Sequence, residues 1–242
     1  MRGNSRNSKT QKENAMKERP ILFKGAMVRA ILEGRKTQTR RVVKESTMSL
    51  VFWEHGGYQP RRMENGETWT FEDKQTGLYA STAPTFKCPY GTPGDRLWAR
   101  ETWRSYDVDG TVEGAKKSLR YRADGGEAMI TWKPSIHMPR WASRITLEIV
   151  SVRVERLNDI TEEDAKAEGC ESGIWDQQSG VLAGETDPED VATFRDGYGF
   201  LWESINGHGS WQFNPWVWVV EFKKVQQGNS RNSKTQERKG DK

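Results

Sequence analysis

Ile145, Leu147 and Ile149 alternate with less apolar neighbours, and Val152 and Val154 resume the alternation on the opposite parity. A period of two marks a half-buried strand, and a change of parity within it marks a bulge or bend. The pattern therefore predicts a strand over 144–157 with an irregularity near Val150-Ser151. The closing run Trp216-Val217-Trp218-Val219-Val220-Glu221-Phe222 is apolar on both parities, which predicts a strand buried on both faces. Shorter strand patterns occur at Ile21–Phe23, Arg96–Trp103 and Leu119–Arg122, and Trp53, Trp69 and Phe71 suit a hairpin. Two segments change to helical spacing. Met27, Ile31 and Leu32 predict a helix over 25–34 that stops at Gly34. Val191, Phe194, Leu201, Trp202 and Ile205 predict another over 188–206, weakened by Gly197 and Gly199. Between them, Thr161 and Asp164 form the outline of a capping box before a short helix ending near Glu168. Several twisting strands with few helices predict an α+β domain built on a small, closed or partly closed β-barrel.

The pattern sets the boundaries of that domain. Residues 20–223 carry the periodic segments, with irregular insertions near 45–90 and 104–140. Residues 1–19 and 224–242 have no apolar anchors and are expected to be disordered basic tails. Both contain the same nine residues, Gly-Asn-Ser-Arg-Asn-Ser-Lys-Thr-Gln, at 3–11 and 228–236. The repeat reads either as a pair of arms touching phosphates or as a duplicated scrap at the gene ends.

Charge changes the picture more than composition does. The chain of 242 residues carries a formal charge of +4, but the two tails are so basic that 20–222 has a net charge of about −5. A nucleic-acid surface on the core must therefore be a local patch. No run approaches the roughly 20 apolar residues of a membrane helix, so no membrane partner is expected. The two cysteines, Cys88 and Cys170, are too few for a disulfide framework and suit a reducing cytoplasm. His55, His137 and His208 lack ligand spacing, so neither a metal nor another cofactor is expected. The cluster Asp159, Glu162, Glu163, Asp164 reads as an acidic helix start, favoured by the helix dipole.

The densest candidate chemistry is Gly34-Arg35-Lys36-Thr37-Gln38-Thr39-Arg40-Arg41, with four basic residues and two threonines directly after a helix stop. Such a loop offers cationic donors for phosphate and hydroxyls for a base or sugar; it also reads as an ordinary solvated charge run. Trp98, Trp103 and Trp141 suit either base stacking or a core.

This stretch resembles the G-R-K-T-x-T-x-R signature of the ASCH domain family. Further elements follow in the family's order: Pro93-Gly94-Asp95-Arg96-Leu97, the segment Leu157–Gly169, and the closing Trp218-Val219-Val220-Glu221-Phe222. The whole is similar to longer members carried by bacteriophages and prophages. The resemblance implies a PUA-like barrel that binds RNA or a modified nucleoside or nucleotide, and a bacterial host cytoplasm. One branch of the family removes the acetyl group from N4-acetylcytidine with a lysine, a threonine and a glutamate, which match Lys36, Thr39 and Glu168 here. In that scheme Thr39 supplies a hydroxyl or positions water, Lys36 acts as base, and Glu168 orients Lys36 or shuttles its proton. Arg35, Thr37, Arg40, Arg41 and Trp98 are the expected binding residues. The resemblance leaves two alternatives open, a reader without chemistry and an amidohydrolase. Convergence of Lys36, Thr39 and Glu168 in one cleft would favour the second.

Overall fold

A computed structural model of the chain describes residues 16–44, 57–78, 85–106, 118–125, 131–170, 174–175, 182–183 and 193–225. The repeated tail segments, Trp53 and most of 171–192 lie outside these residues. In chain order the elements begin β1 (Glu18–Leu22), α1 (Gly25–Leu32), β2 (Gln38–Val42), β3 (Tyr58–Arg62), β4 (Thr68–Asp73) and β5 (Phe86–Lys87). They continue with β6 (Arg96–Arg100), β7 (Trp103–Tyr106), β8 (Ser118–Tyr121), β9 (Thr146–Arg156), α2 (Glu162–Ala167), β10 (Ile174–Trp175), β11 (Leu182–Ala183), α3 (Phe194–Asn206) and β12 (Trp216–Lys224). The class is α+β, as the pattern predicts.

Five strands form the central sheet in the order β1-β6-β9-β12-β2. All neighbours are antiparallel except β1 and β6. The ladder is not closed into the expected barrel. Among the described residues no backbone pairing joins its two ends, β1 and β2. A side chain reaches across instead, Arg41 Nη2 donating to the Leu22 carbonyl at 2.5 Å.

The predicted double-sided burial of β12 is realised, and it sets the layers. Trp216, Trp218, Val220 and Phe222 enter the main core, where Trp69, Phe71 and Phe86 of the β3-β4-β5 sheet meet them. The alternate residues Val217 and Val219 join a second core with Leu157, Ile160, Ala165, Tyr198 and Trp202, beneath α2 and α3. The irregularity predicted in β9 is a bulge. Glu221 pairs with Ser151 and Phe222 with Ile149, so Val150 is the extra residue and is 52% exposed.

Other expectations shift. The Arg96–Trp103 strand divides at Glu101-Thr102 into β6 and β7, and β7 forms a hairpin with β8 inside the stretch expected to be irregular. Glu101 stands at the division. It is 2% exposed and accepts two bonds from the Arg144 guanidinium at 2.8 and 3.0 Å. The last long helix begins at Phe194, where Thr193 and Asp196 form a reciprocal capping box.

Candidate functional site

The site is assembled from the end of α1, the edge strand β2, and α2 with its C-terminal turn. Gly34, at φ +82°, ends the first helix region and turns the chain toward β2. Lys36 then forms an isolated antiparallel bridge with Glu168, at the C-cap of α2. The next residue is Gly169, at φ +81°. A Cβ there would sit 2.8 Å from Ala30 Cβ and 2.9 Å from Lys36 Cβ, so only glycine lets the α2 turn pack this closely.

Lys36 and Glu168 meet, but Lys36 does not join Thr39 in lining a common cleft. Lys36 Nζ lies 2.5 Å from Glu168 Oε2 and 2.8 Å from the Glu168 carbonyl, and both side chains are almost completely buried. Burial pulls the Lys36 pKa below its ordinary value, against the opposing pull of the Glu168 charge. The other carboxylate oxygen, Glu168 Oε1, accepts from Arg40 Nη1 at 3.2 Å.

Arg40 is not a free phosphate ligand. Its guanidinium also bonds Glu155 Oε1 at 2.6 Å and Asp164 Oδ2 at 2.8 Å, and its side chain is fully buried. Burial opposes its charge, but Glu168 and Glu155 overcome this and raise its pKa. Arg153 continues the network to Glu155, Asp164 and Glu221. Gln38 Nε2 donates to the Asp164 side chain and carbonyl at 3.0 and 2.8 Å. For Asp164, burial pushes the pKa up, but Gln38 and the guanidiniums of Arg40 and Arg153 outweigh it and hold it low. The expected acidic helix start is thus divided between two tasks. Asp164 ties α2 to β2, while Glu162 accepts from the Phe194 and Arg195 amides and caps α3.

The remaining candidates separate by strand parity. Thr39 pairs with Val220 and Arg41 with Trp218, on the main-core face, whereas Gln38 and Arg40 share the α2 face with Glu221 and Val219. Because β2 is an edge strand, a cleft of about 60 Å³ runs along it and collects residues from both faces, including Thr39, Arg41, Glu168, Tyr198, Trp202 and Asn206. Lys36 is not among its lining residues and stands behind Glu168. Burial and the nearby Glu168 charge raise Tyr198 well above the usual tyrosine range, so its hydroxyl stays protonated. Arg41 Nε and Trp202 Nε1 are buried without a hydrogen-bond partner, two donors on residues that line this cleft. Sequence reasoning missed Tyr198 and Trp202 here because they arrive from α3, more than 150 positions after the motif.

The other predicted binding residues lie elsewhere. Arg35 pairs with Glu33 at 2.5 Å and donates to the Gly169 carbonyl at 3.1 Å. Thr37 contributes backbone bonds, donating to the Ala167 carbonyl and accepting from the Phe222 amide, both at 2.8 Å. Trp98 is on β6, separated from β2 in the sheet by β9 and β12. The motif's cations bond carboxylates and carbonyls of the fold. Among the described residues, no group of three or more His, Cys, Asp or Glu is placed to hold a metal ion, and no helix is long and apolar enough to cross a membrane. No protein-family model, curated protein or solved structure matches the chain.

Proposed function

We propose that the cleft between β2 and α3 binds a modified nucleoside and that the chain hydrolyses an N-acyl amide on its base. The observation that carries this reading is the Glu168 carboxylate, clamped by buried Lys36 and Arg40 and bordering the same cleft as Thr39. Tyr198 and Trp202 supply flat walls for a base. The unpartnered Arg41 and Trp202 donors suit carbonyl oxygens of an acylated base. The ASCH resemblance implies Lys36, Thr39 and Glu168 as working residues, of which Thr39 and Glu168 line the cleft, and the open five-stranded sheet would be this chain's version of the PUA-like barrel.

In this scheme Thr39 positions a water that attacks the acyl carbon. The water's proton passes to Glu168 and then to the departing amine as the C–N bond breaks, leaving a carboxylic acid and an unmodified base. Lys36 and Arg40 fix the carboxylate in place; Arg41 faces the oxyanion. A second reading, a nucleoside reader without chemistry, is favoured by one feature. Both Glu168 oxygens already accept charged donors, so neither is left free of a partner for a water's proton.

The test is incubation of the full chain with a panel of N-acylated nucleosides, followed by mass. Release of the acyl group, lost in Glu168→Gln and reduced about a hundredfold or more in Thr39→Ala, is the expected result. Saturable binding of the panel without turnover would replace hydrolase with reader. Neither binding nor turnover would end both readings.

A further inference from the structure

One face of α3 borders the cleft. Tyr198, Leu201, Trp202 and Ile205 follow the i, i+3, i+4, i+7 spacing of a helix, and all four line it. Leu201 and Ile205 have apolar side chains. The Trp202 indole nitrogen is sealed in the interior without a partner. The Tyr198 hydroxyl differs from all of these. The residue is 4% exposed, and among the described residues its hydroxyl neither donates nor accepts a hydrogen bond, yet it is not among the sealed side-chain atoms. Its remaining accessible surface therefore faces the cleft that the residue lines. Buried polar groups almost always have a partner, so an unpartnered one that borders a cleft points to an acceptor supplied by a ligand.

The fold holds this ring without using its oxygen. Tyr198 packs against Trp202 with centroids 6.2 Å apart and meets Trp211 edge-on at 6.1 Å and 70°. The Arg40 guanidinium carbon lies 5.9 Å from its ring centroid. A phenylalanine would make the same contacts, so packing accounts for the ring and not for the hydroxyl. Burial, and then the Glu168 charge, keep the proton on that oxygen, which makes it a donor. Among the surrounding charges Glu168 acts on it most strongly, so the hydroxyl stands beside the carboxylate that handles the proton in the hydrolase scheme.

We propose that the Tyr198 hydroxyl is a further catalytic residue, a hydrogen-bond donor to the acyl oxygen as it becomes an oxyanion. The inference rests on the hydrolase reading and adds a residue to it. The oxygen of the attacking water bonds the acyl carbon, and the carbonyl electron pair moves onto the acyl oxygen. That pair returns as the C–N bond breaks. Tyr198 keeps its proton throughout and stabilises the charge in between, as a second donor with Arg41.

The experiment is steady-state hydrolysis of the panel of N-acylated nucleosides, N4-acetylcytidine among them, by the full chain and by Tyr198→Phe. A donor used only in the transition state lowers kcat and leaves KM in place. Tyr198→Phe should lose about a hundredfold or more in kcat, with KM changed by less than about threefold. Its circular dichroism should match the parent's and its urea midpoint should equal or exceed it, because the ring contacts are kept and an unpartnered buried oxygen is removed. With N4-thioacetylcytidine, whose sulfur is a weak acceptor, the parent should slow toward the rate of Tyr198→Phe. Retained kcat in Tyr198→Phe would overturn the proposal and leave the hydrolase reading standing. So would a rise in KM alone, a fall in the urea midpoint that accompanies the loss of rate, or equal slowing of both proteins by the thioacetyl substrate. No turnover of the panel by the parent would end the hydrolase reading and this inference together.

Discussion

Glu168 divides one carboxylate between two buried cations, and the energetics of the site follow from that arrangement. A buried ion pair contributes little net stability, but removing one partner leaves a charge without its counter-ion in a medium that solvates it poorly. Lys36→Met should therefore cost about 3–5 kcal/mol by urea unfolding. Combining it with Glu168→Leu should cost less than the two single changes added together. Additive costs in that double-mutant cycle would show that the pair is not coupled. Lys36 and Glu168 were singled out in the sequence by the resemblance to the ASCH family. Glu155, Asp164 and Arg153 were not, because a carboxylate on a strand gives no signal of which arginine it will face. The basic stretch also read as a surface patch, and only the packing shows its charges turned inward.

The elements show where local pattern suffices. Val150 was marked by a change of parity in β9, and the bulge falls there because both faces of the partner strand β12 are committed to cores. The start of α3 depends on two caps. Thr193→Ala should cost about 1 kcal/mol in urea unfolding, and Glu162→Ala should add to it, since Glu162 takes the next two amides. No loss in either variant would mean that water satisfies those amides equally well. Gly169 carries more than a cap. Gly169→Ala places a methyl group against Ala30 and Lys36 at a positive φ, so it should cost well over about 1 kcal/mol and reduce turnover together with stability. A stable, fully active alanine variant would show that the turn can move aside. The division of β6 from β7 was not legible, because the Arg96–Trp103 run has uniform strand propensity and the partner of Glu101 at the break, Arg144, stands more than forty positions away.

At the scale of the whole molecule, pH should act through the carboxylates that tie elements together. For Asp95, burial pushes the pKa up, but the Lys17 amide, the Arg19 guanidinium and the Thr92 amide outweigh it and hold it low. Asp164 is held low in the same way. A carboxylate whose folded pKa is depressed contributes stability that is present above its unfolded pKa of about 3.9 and lost as pH falls through the folded value. Glu101 has the opposite sign, because burial raises it despite Arg144, and its contribution is lost as pH rises. With two clamps against one, the urea midpoint should fall below about pH 4. Asp95→Asn should be less stable than the parent at pH 7 and nearly equal to it at about pH 2. A gap that persists at about pH 2 would assign the loss to packing and not to charge. The sequence by itself determined the α+β class, the doubly buried closing strand and the bulge, because period and turn chemistry are local properties of the chain, whereas the approach of Lys36 to Glu168 was an implication of the family resemblance. Only the tertiary structure decided that the ladder stays open between β1 and β2, that the motif's cations are consumed inside the fold, and that Tyr198 and Trp202 close the cleft. Each of those depends on pairing between distant segments, and neither the partner of a charge nor the neighbour of an edge strand is encoded at its own position.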